Sequence, residues 1–383
     1  MIKTLILGCV GYLGWASSMY FSLIGHKVFG VDSLVKRRIS INGDCKPLNN
    51  YIQINKRIQI FKKKYKKNIK FIYGDCTNYK FLKKIIENIR PDNIIHFAEQ
   101  PSAPFSMKNF ENANFTLRNN LISTFNLIWC VKDLKKKPHI IKLGTMGEYG
   151  TPNIDIEEGW LRVKYKKRVQ TFLYPRQGAS LYHTSKILDT DLLWFYVRIF
   201  GIKVTDLMQG PVYGFKINQV NEEELYPSFY YDDFFGTVLN RFVVQAVAGI
   251  PLSVYGSGDQ IRGYLNINDT MECINLAIKN PPKSYKLNIF NQFTQKFAVN
   301  DLALMVKKTG KKIGINVEIK KIKNPRVELE KHYYNPKNKK FKELGLKPNL
   351  LNTNMLLSML EFVSKNKNKI NKRIILPRFS WNK

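Results

Sequence analysis

The first 32 residues constrain the fold more than any other stretch. An apolar run, KTLILG (3–8), leads into Gly8, Gly11 and Gly14 of GCVGYLG, and a second apolar run, HKVFGVD (26–32), ends on Asp32. Glycines between a strand and a helix let the backbone approach another group closely, and the helix start offers amide donors and a positive dipole end. Alone, such a triplet marks only a tight turn. Placed just after Met1 and before a second strand that ends in a carboxylate, it points to a dinucleotide-binding unit. The same stretch also has the outline of a secretory leader, with Lys3 preceding LILGCVGYLGWASSMYFSLIG. HKVFGVD decides for the nucleotide unit, and a fold that starts at residue 2 implies no presequence. No apolar run approaches the ~20 residues of a membrane span, so membrane insertion is not expected.

The chain continues the pattern. Its 383 residues suffice for one large α/β unit or two interleaved domains, and 44% hydrophobic residues make it globular. Further short apolar runs, KFIYGD (70–75), NIIHFA (93–98), HIIKLG (139–144) and KVTDLMQ (203–209), alternate with amphipathic stretches. Together they predict an α/β fold with a six-stranded, doubly wound parallel sheet of the Rossmann type. Residues 33–69 form a connection far longer than an ordinary βα loop, either functional or a small lobe of its own. Beyond about residue 210 the alternation weakens. The expected division is a dinucleotide-binding domain over 1–209 and a smaller lobe over 210–383, interleaved with the first. The tail from Ser364 reads as a solvated extension.

The net charge of +33 is distributed over many short runs, such as FKKKYKKN (61–68) and SKNKNKINKR (364–373). A nucleic-acid footprint is usually clustered on one face, so no nucleic-acid partner is expected. The enrichment in Lys, Ile and Asn resembles the drift of an AT-rich genome. Cys9, Cys45, Cys76, Cys130 and Cys273 are scattered without a C-x-x-C, which suggests reduced thiols and neither a zinc site nor a disulfide framework.

Tyr182 and Lys186 in YHTSK lie four apart, on one face of a helix. A tyrosine there can take a hydroxyl proton while hydride leaves the carbon, and a neighbouring ammonium lowers a phenol pKa by roughly 1–3 units. Thr145, at the end of a predicted strand, completes the set. Asp32 suits the hydroxyls of an adenine ribose and repels a 2′-phosphate, favouring NAD over NADP. Arg37 and Arg38 lie past the strand end and could clamp phosphates or a substrate. Arg262, in GSGDQIRGYLNINDT (256–270), and Arg326, in NPRVELEKHYY (324–334), are candidate diphosphate grips.

Several blocks then carry a specific likeness: HFAEQPSAPFSM (96–107), KLGTMGEYGTPNIDIEEG (142–159), YHTSK, DLMQGPVYG (206–214), LNRFVVQA (239–246), FNQFT (290–294), NPRVELEKHYYN and the closing SW (380–381). Over nearly its whole length the chain resembles the UDP-sulfoquinovose synthase family of extended short-chain dehydrogenases/reductases. The resemblance implies that UDP-glucose and sulfite give UDP-sulfoquinovose, the precursor of a photosynthetic sulfolipid, with tightly held NAD recycled. Thr145 and Tyr182 would handle the 4-hydroxyl, the 4-ketone would acidify C5, loss of the 6-hydroxyl would give an enone, and sulfite would add at C6. Dehydratases of this group place an acid and a base where this chain has Met146 and Gly147, and the small apolar gap expected there could admit sulfite. His183 and Glu148 are then the candidates to move the C5 proton and assist the departing hydroxyl, His183 by changing charge near neutral pH.

By the same likeness Gly8, Gly11, Tyr12, Gly14, Asp32, Lys36, Arg37, Asp75, Cys76 and Asn119, with Tyr182 and Lys186, should line the NAD site. Thr145, Gln209, Val212, Arg262 and Arg326 should hold UDP-glucose, and no metal is implied. Two departures stand out: Pro101 and Lys36 occupy positions where plant members carry arginine, and basic residues of 33–69 could compensate for the first. Helices around 111–131 and 178–199 commonly build a homodimer in this group, and a sulfite-delivering protein is a further expected partner. The expected location is the plastid stroma, from an organelle gene, with a bacterial cytoplasm as second choice. Competing readings are a sulfite-independent 4-epimerase or 4,6-dehydratase and, in another class, an RNA-binding member that has lost catalysis.

Overall fold

The structure, a computed structural model, describes residues 1–49 and 51–381. In the first part, strands β1 (Lys3–Leu7), β2 (Lys27–Asp32), β3 (Ile69–Tyr73), β4 (Asn93–His96) and β5 (His139–Thr145) alternate with helices. These are α1 (Tyr12–Leu23), α2 (Val35–Asn42), α3 (Ile54–Tyr65), α4 (Tyr79–Ile89), α5 (Ala103–Ser106) and α6 (Phe110–Val131). An antiparallel hairpin, β6 (Trp160–Tyr165) with β7 (Arg168–Leu173), precedes α7 (Leu181–Phe200) and β8 (Lys203–Gln209). Then come β9 (Val212–Tyr213), α8 (Val238–Ala248), β10 (Leu252–Tyr255), β11 (Ile261–Asn266), α9 (Ile267–Lys279) and β12 (Leu287–Gln292). The last elements are β13 (Gln295–Ala298), α10 (Val299–Lys311), β14 (Ile319–Ile322), α11 (Lys339–Glu343) and α12 (Thr353–Lys365).

Seven parallel strands form the central sheet in the order β12-β8-β5-β4-β1-β2-β3. The fold is therefore the expected doubly wound α/β sheet. Both faces are covered, which is why its strands read as continuous apolar runs: Leu5, Ile6, Leu7, Ile94, Ile95, Ile140 and Ile141 are fully buried. Each of the six anticipated strands is present to within about two residues, but the sheet has a seventh. β12, with the sequence LNIFNQ, joins β8 in register from Leu287 opposite Val204 to Gln292 opposite Gln209. Its asparagines hide it among polar segments. Strand order reverses between β1 and β4, which opens a crevice above their carboxyl ends.

Of the two alternatives for residues 33–69, the separate lobe is excluded: Ile54 and Phe61 of α3 join the core against α1, and the Arg57 guanidinium stacks on Trp15 at 4.2 Å. The tail from Ser364 is not the solvated extension expected. Ile374 and Ile375 are buried, Arg378 pairs with Asp233 at 2.6 Å, and Trp381 N donates to Pro325 O at 2.8 Å. Two isoleucines among the lysines suffice to dock it. Asn50 of the first segment, and Asn382 and Lys383 of the second, lie outside the described residues.

A further core, built on α8, α10 and α12, runs from Leu48 to Ile375 and supports the region after residue 210. All five cysteines are free and buried. Among the described residues no helix is long and apolar enough to cross a membrane.

Candidate active site

The crevice begins at the glycine turn. Gly8 has φ +81°, and a Cβ there would lie 2.7 Å from the backbone carbon of Phe97 at the end of β4. Gly14 is tighter still, since its Cβ would meet Gly8 O at 2.0 Å, so only glycine lets α1 seat against the turn. Asp32 fastens the turn to β2, its Oδ2 accepting from Val10 N at 2.9 Å and its Oδ1 from Leu34 N at 2.7 Å. Gly8, Gly11, Asp32, Lys36, Arg37, Asp75, Cys76 and Asn119 line one continuous cleft. A close-approach backbone, an acid at the second strand end and an adjoining helix N-terminus fit a dinucleotide. Tyr12 and Gly14 stand behind this wall, with Tyr12 Oη donating to Gly214 O at 2.6 Å.

Pro101 and Lys36 share the cleft. The Lys36 ammonium sits 4.5 Å from the ring centre of Tyr230 and 4.7 Å from that of Phe235. Burial pushes its pKa down to about 8, against the opposing pull of Asp232 and Asp32.

Glu99, on the wall of the cleft, connects it to the second group of candidate residues through its ion pair with Lys186. Thr145 ends β5 and caps a short 3₁₀ turn, its Oγ1 accepting from Gly147 N at 3.2 Å. Tyr182 enters on the first turn of α7, which Ser180 caps, and its backbone N donates to Ser106 Oγ of α5 at 3.1 Å. Lys186 is buried and ion-paired with Glu99, and Asp189 Oδ2 lies 3.8 Å from its ammonium. Beneath, buried Lys142 meets Asp206 at 3.2 Å and Glu148 at 3.5 Å, and Arg176 meets Glu148 at 3.5 Å. Such a network holds side chains in one arrangement, because removing any member leaves a buried charge uncompensated.

This geometry alters three expectations. First, Tyr182 is not depressed: burial, then the carboxylates of Glu99 and Glu148, push its phenol above the usual range. The ammonium meant to lower it is held by Glu99. Second, the gap expected at Gly147 is filled. A Cβ on Gly147 would meet His183 Nε2 at 2.3 Å, so the imidazole takes the space. Burial pushes His183 down to about 3, helped by Arg326 and Arg262, which keeps the ring neutral near pH 7 rather than poised to change charge. Its Nδ1 is buried without a partner. Third, Glu148 lies below the site, fully buried, with Oε1 accepting from Thr145 N at 3.0 Å. It positions Thr145.

Of the residues expected to hold the sugar nucleotide, Gln209 ends β8 with Oε1 buried and unpartnered. Val212 lies buried on β9 beside Leu265. Arg262 meets Glu328 Oε2 and His332 Nε2, each at 3.0 Å. The charges of Arg262 and Arg326 both reach His183, so these three converge from distant parts of the chain. Glu99, Lys142 and Asp189 were not anticipated. The acid after NIIHFA and the lysine inside the buried strand HIIKLG were the available signals.

The chain matches the family described as GDP-mannose 4,6 dehydratase over residues 5–349, which agrees with a nucleotide-sugar enzyme of the extended short-chain dehydrogenase/reductase type. It is 44% identical over 382 residues to the chloroplastic UDP-sulfoquinovose synthase of Spinacia oleracea, covering 100% of this chain and 79% of that protein. It is 40% identical over 385 residues to the UDP-sulfoquinovose synthase of Sulfolobus acidocaldarius, covering 100% and 98%. The chain belongs to the UDP-sulfoquinovose synthase family. In fold it is similar to the UDP-glucose 4-epimerase of Thermotoga maritima (TM-score 0.71, 19% identity, 95% and 99% covered). The Stenotrophomonas maltophila UDP-glucose 4-epimerase gives a TM-score of 0.74 at 15% identity, with 97% and 100% covered.

Proposed function

We propose that the chain converts UDP-glucose and sulfite to UDP-sulfoquinovose for sulfolipid synthesis, with NAD held in the cleft that starts at Gly8. The observation that carries this reading is the Lys186–Glu99 ion pair at the wall of that cleft, with Tyr182 four residues before Lys186 on α7, in a chain whose relatives over its full length bear the synthase name. Bound NAD supplies reversible oxidation at C4. Tyr182, oriented by Ser106 and α7, takes the 4-hydroxyl proton as phenolate, a form that the cationic nicotinamide ring of bound NAD would favour against the burial and carboxylates that raise it, and Thr145 holds that hydroxyl. Lys186 and Glu99 keep the cleft end of the site charged and fixed. His183, neutral at physiological pH, accepts the C5 proton that the 4-ketone acidifies. Arg262 and Arg326 grip the diphosphate, which in turn would make His183 easier to protonate by neutralising their charge.

The C6–O bond then breaks and the 6-hydroxyl leaves as water with the proton held on His183, giving the C5–C6 enone; sulfite adds through sulfur at C6, the proton of bisulfite goes to C5, and C4 is reduced again to the alcohol. Lys36 and Arg37 line the cleft with Pro101 and supply the positive charge that position 101 lacks. We further infer a homodimer through α6 and α7, whose Phe125, Trp129, Phe195 and Ile199 are exposed apolar groups. The spinach relative is chloroplastic, and we assign this chain to the plastid stroma, with a prokaryotic cytoplasm as the second assignment.

The test is to incubate the purified chain with UDP-glucose, with and without sulfite, and follow products by mass spectrometry. Sulfite-dependent sulfonated nucleotide sugar is expected. Turnover without sulfite incorporation would instead indicate an epimerase or dehydratase, and salt-sensitive RNA binding without NAD would indicate the catalytically inactive reading. His183→Ala should keep C4 oxidation and lose C5 and C6 chemistry; full sulfonation by that variant would remove His183 from its role.

A further inference from the structure

Beside the dinucleotide cleft lies a second cavity of about 520 Å³. Arg37, Tyr51 and Arg57 of the 33–69 segment form one wall, Tyr226 and Ser228 another, and Lys369, beyond α12, stands at its mouth. Its size is that of a small-molecule site.

What distinguishes this cavity is a buried arginine, Arg57, with the half-buried Arg37 beside it and no carboxylate in an ion pair with either among the described residues. Arg57 is only 4% exposed. Its Nη2 donates to Leu225 O and Tyr226 O at 2.8 and 2.9 Å, while its Nε is buried with no partner. Arg37 packs on the ring of Tyr51 at 4.6 Å and donates to Ile52 O at 3.3 Å, and its Nε is likewise buried and unpartnered. Among the described residues neither arginine has a carboxylate within ion-pair distance, in contrast to Arg176, Arg262 and Arg378. Burial, then the charge of Arg37, pushes Arg57 down to about 9. Glu223 and Glu224 line only the exposed rim, where Glu223 faces Lys365 at 3.7 Å. A charge removed from water is ordinarily paired, so buried Arg57, with the like charge of half-buried Arg37 beside it, costs stability unless an anion joins them.

We propose that this cavity is an oxyanion site, taking a phosphate- or sulfite-type group between Arg57 and Arg37 with Lys369 at the entrance. Planar guanidinium forks suit tetrahedral and pyramidal oxyanions, and the aromatic walls leave room for an attached organic portion. The shared chemistry admits a free inorganic ion or a phosphate ester. The cavity shares Arg37, Tyr51 and Ser228 with the dinucleotide cleft, whereas Arg57 and Lys369 line this cavity and not the cleft.

The experiment is calorimetric titration of the full-length, NAD-loaded chain with inorganic phosphate, with sulfite and with ribose 5-phosphate, using wild type, Arg57→Met and Lys369→Glu. Saturable one-to-one binding of at least one probe is expected, weakened about tenfold or more by Arg57→Met, the loss expected for one charge-assisted contact. Tighter binding of the ester identifies a metabolite site, and equal or weaker binding identifies a free-ion site. Lys369→Glu changes an exposed side chain, so it reads the site even if Arg57→Met fails to fold, and it must also weaken binding. No saturable binding of any probe, or binding unchanged in a folded variant, overturns the proposal.

Discussion

The imidazole of His183 occupies the space into which a side chain at residue 147 would project, with Nε2 2.3 Å from where its Cβ would stand. Ordinary dehydratases place a functional side chain in this neighbourhood; here the glycine and the histidine form one unit. Gly147→Ala should therefore displace His183 and slow sulfonation by about 10- to 100-fold, the scale of a misplacement near 1 Å. Steady-state kcat is the measurement, and a rate within twofold of wild type would contradict the arrangement.

Glu99 and Lys186 form a buried pair, and the Glu99 carboxylate is among the groups that raise Tyr182. Negative charge disfavours phenolate, so its removal lowers the phenol pKa. In Glu99→Gln the acidic limb of the kcat/KM profile, where activity rises as Tyr182 ionises, should move to lower pH, with a reduced plateau because Lys186 loses its anchor. The profile with UDP-glucose across pH 6 to 10 checks the direction, and a shift upward would be inconsistent with it.

His139, at the start of β5, meets Thr205 Oγ1 at 2.9 Å, and burial pushes its pKa down to about 3. Its unfolded pKa is near 6.5, so below that value the unfolded chain binds a proton that the folded chain refuses. This contribution to stability is complete above about pH 6.5 and is lost as pH falls toward the folded value. Relative to wild type, His139→Asn should gain about 1.4 kcal/mol per pH unit over that window. Urea denaturation at pH 7, 6 and 5 measures the difference.

Arg378 donates to Asp233 Oδ1 at 2.6 Å and to Gly43 O at 2.9 Å, tying the tail to the end of α2. Arg378→Ala leaves Asp233 buried without its cation and should cost about 2 kcal/mol, less than for a fully enclosed pair because the arginine is partly exposed. It should also weaken NAD binding, since α2 carries Lys36 and Arg37. Chemical denaturation and NAD titration read the two effects separately.

The parts legible beforehand were those written in local pattern. Continuous apolar runs revealed β1, β2, β4 and β5, and spacing alone brought Gly8, Gly11 and Asp32 together. Tyr182 and Lys186 were readable because a helix fixes four-residue neighbours. What pairs with Lys186 was not, since Glu99 comes from a strand end 87 positions away. Likewise nothing local distinguishes Gly147 as a vacant place from Gly147 as the seat of His183. β12 escaped because LNIFNQ carries Asn291 and Gln292 into buried positions.

That late strand sets the order in which the molecule can be made. β8 has β5 on one side and, on the other, backbone groups that wait for residues 287–292. Until translation has passed that point, the emerging chain carries an unpaired hydrogen-bonding edge beside largely apolar side chains, the kind of surface that recruits a neighbouring strand. A fragment ending near residue 209 would keep that edge open and prone to associate, so the sheet is complete only once residues 287–292 have been made.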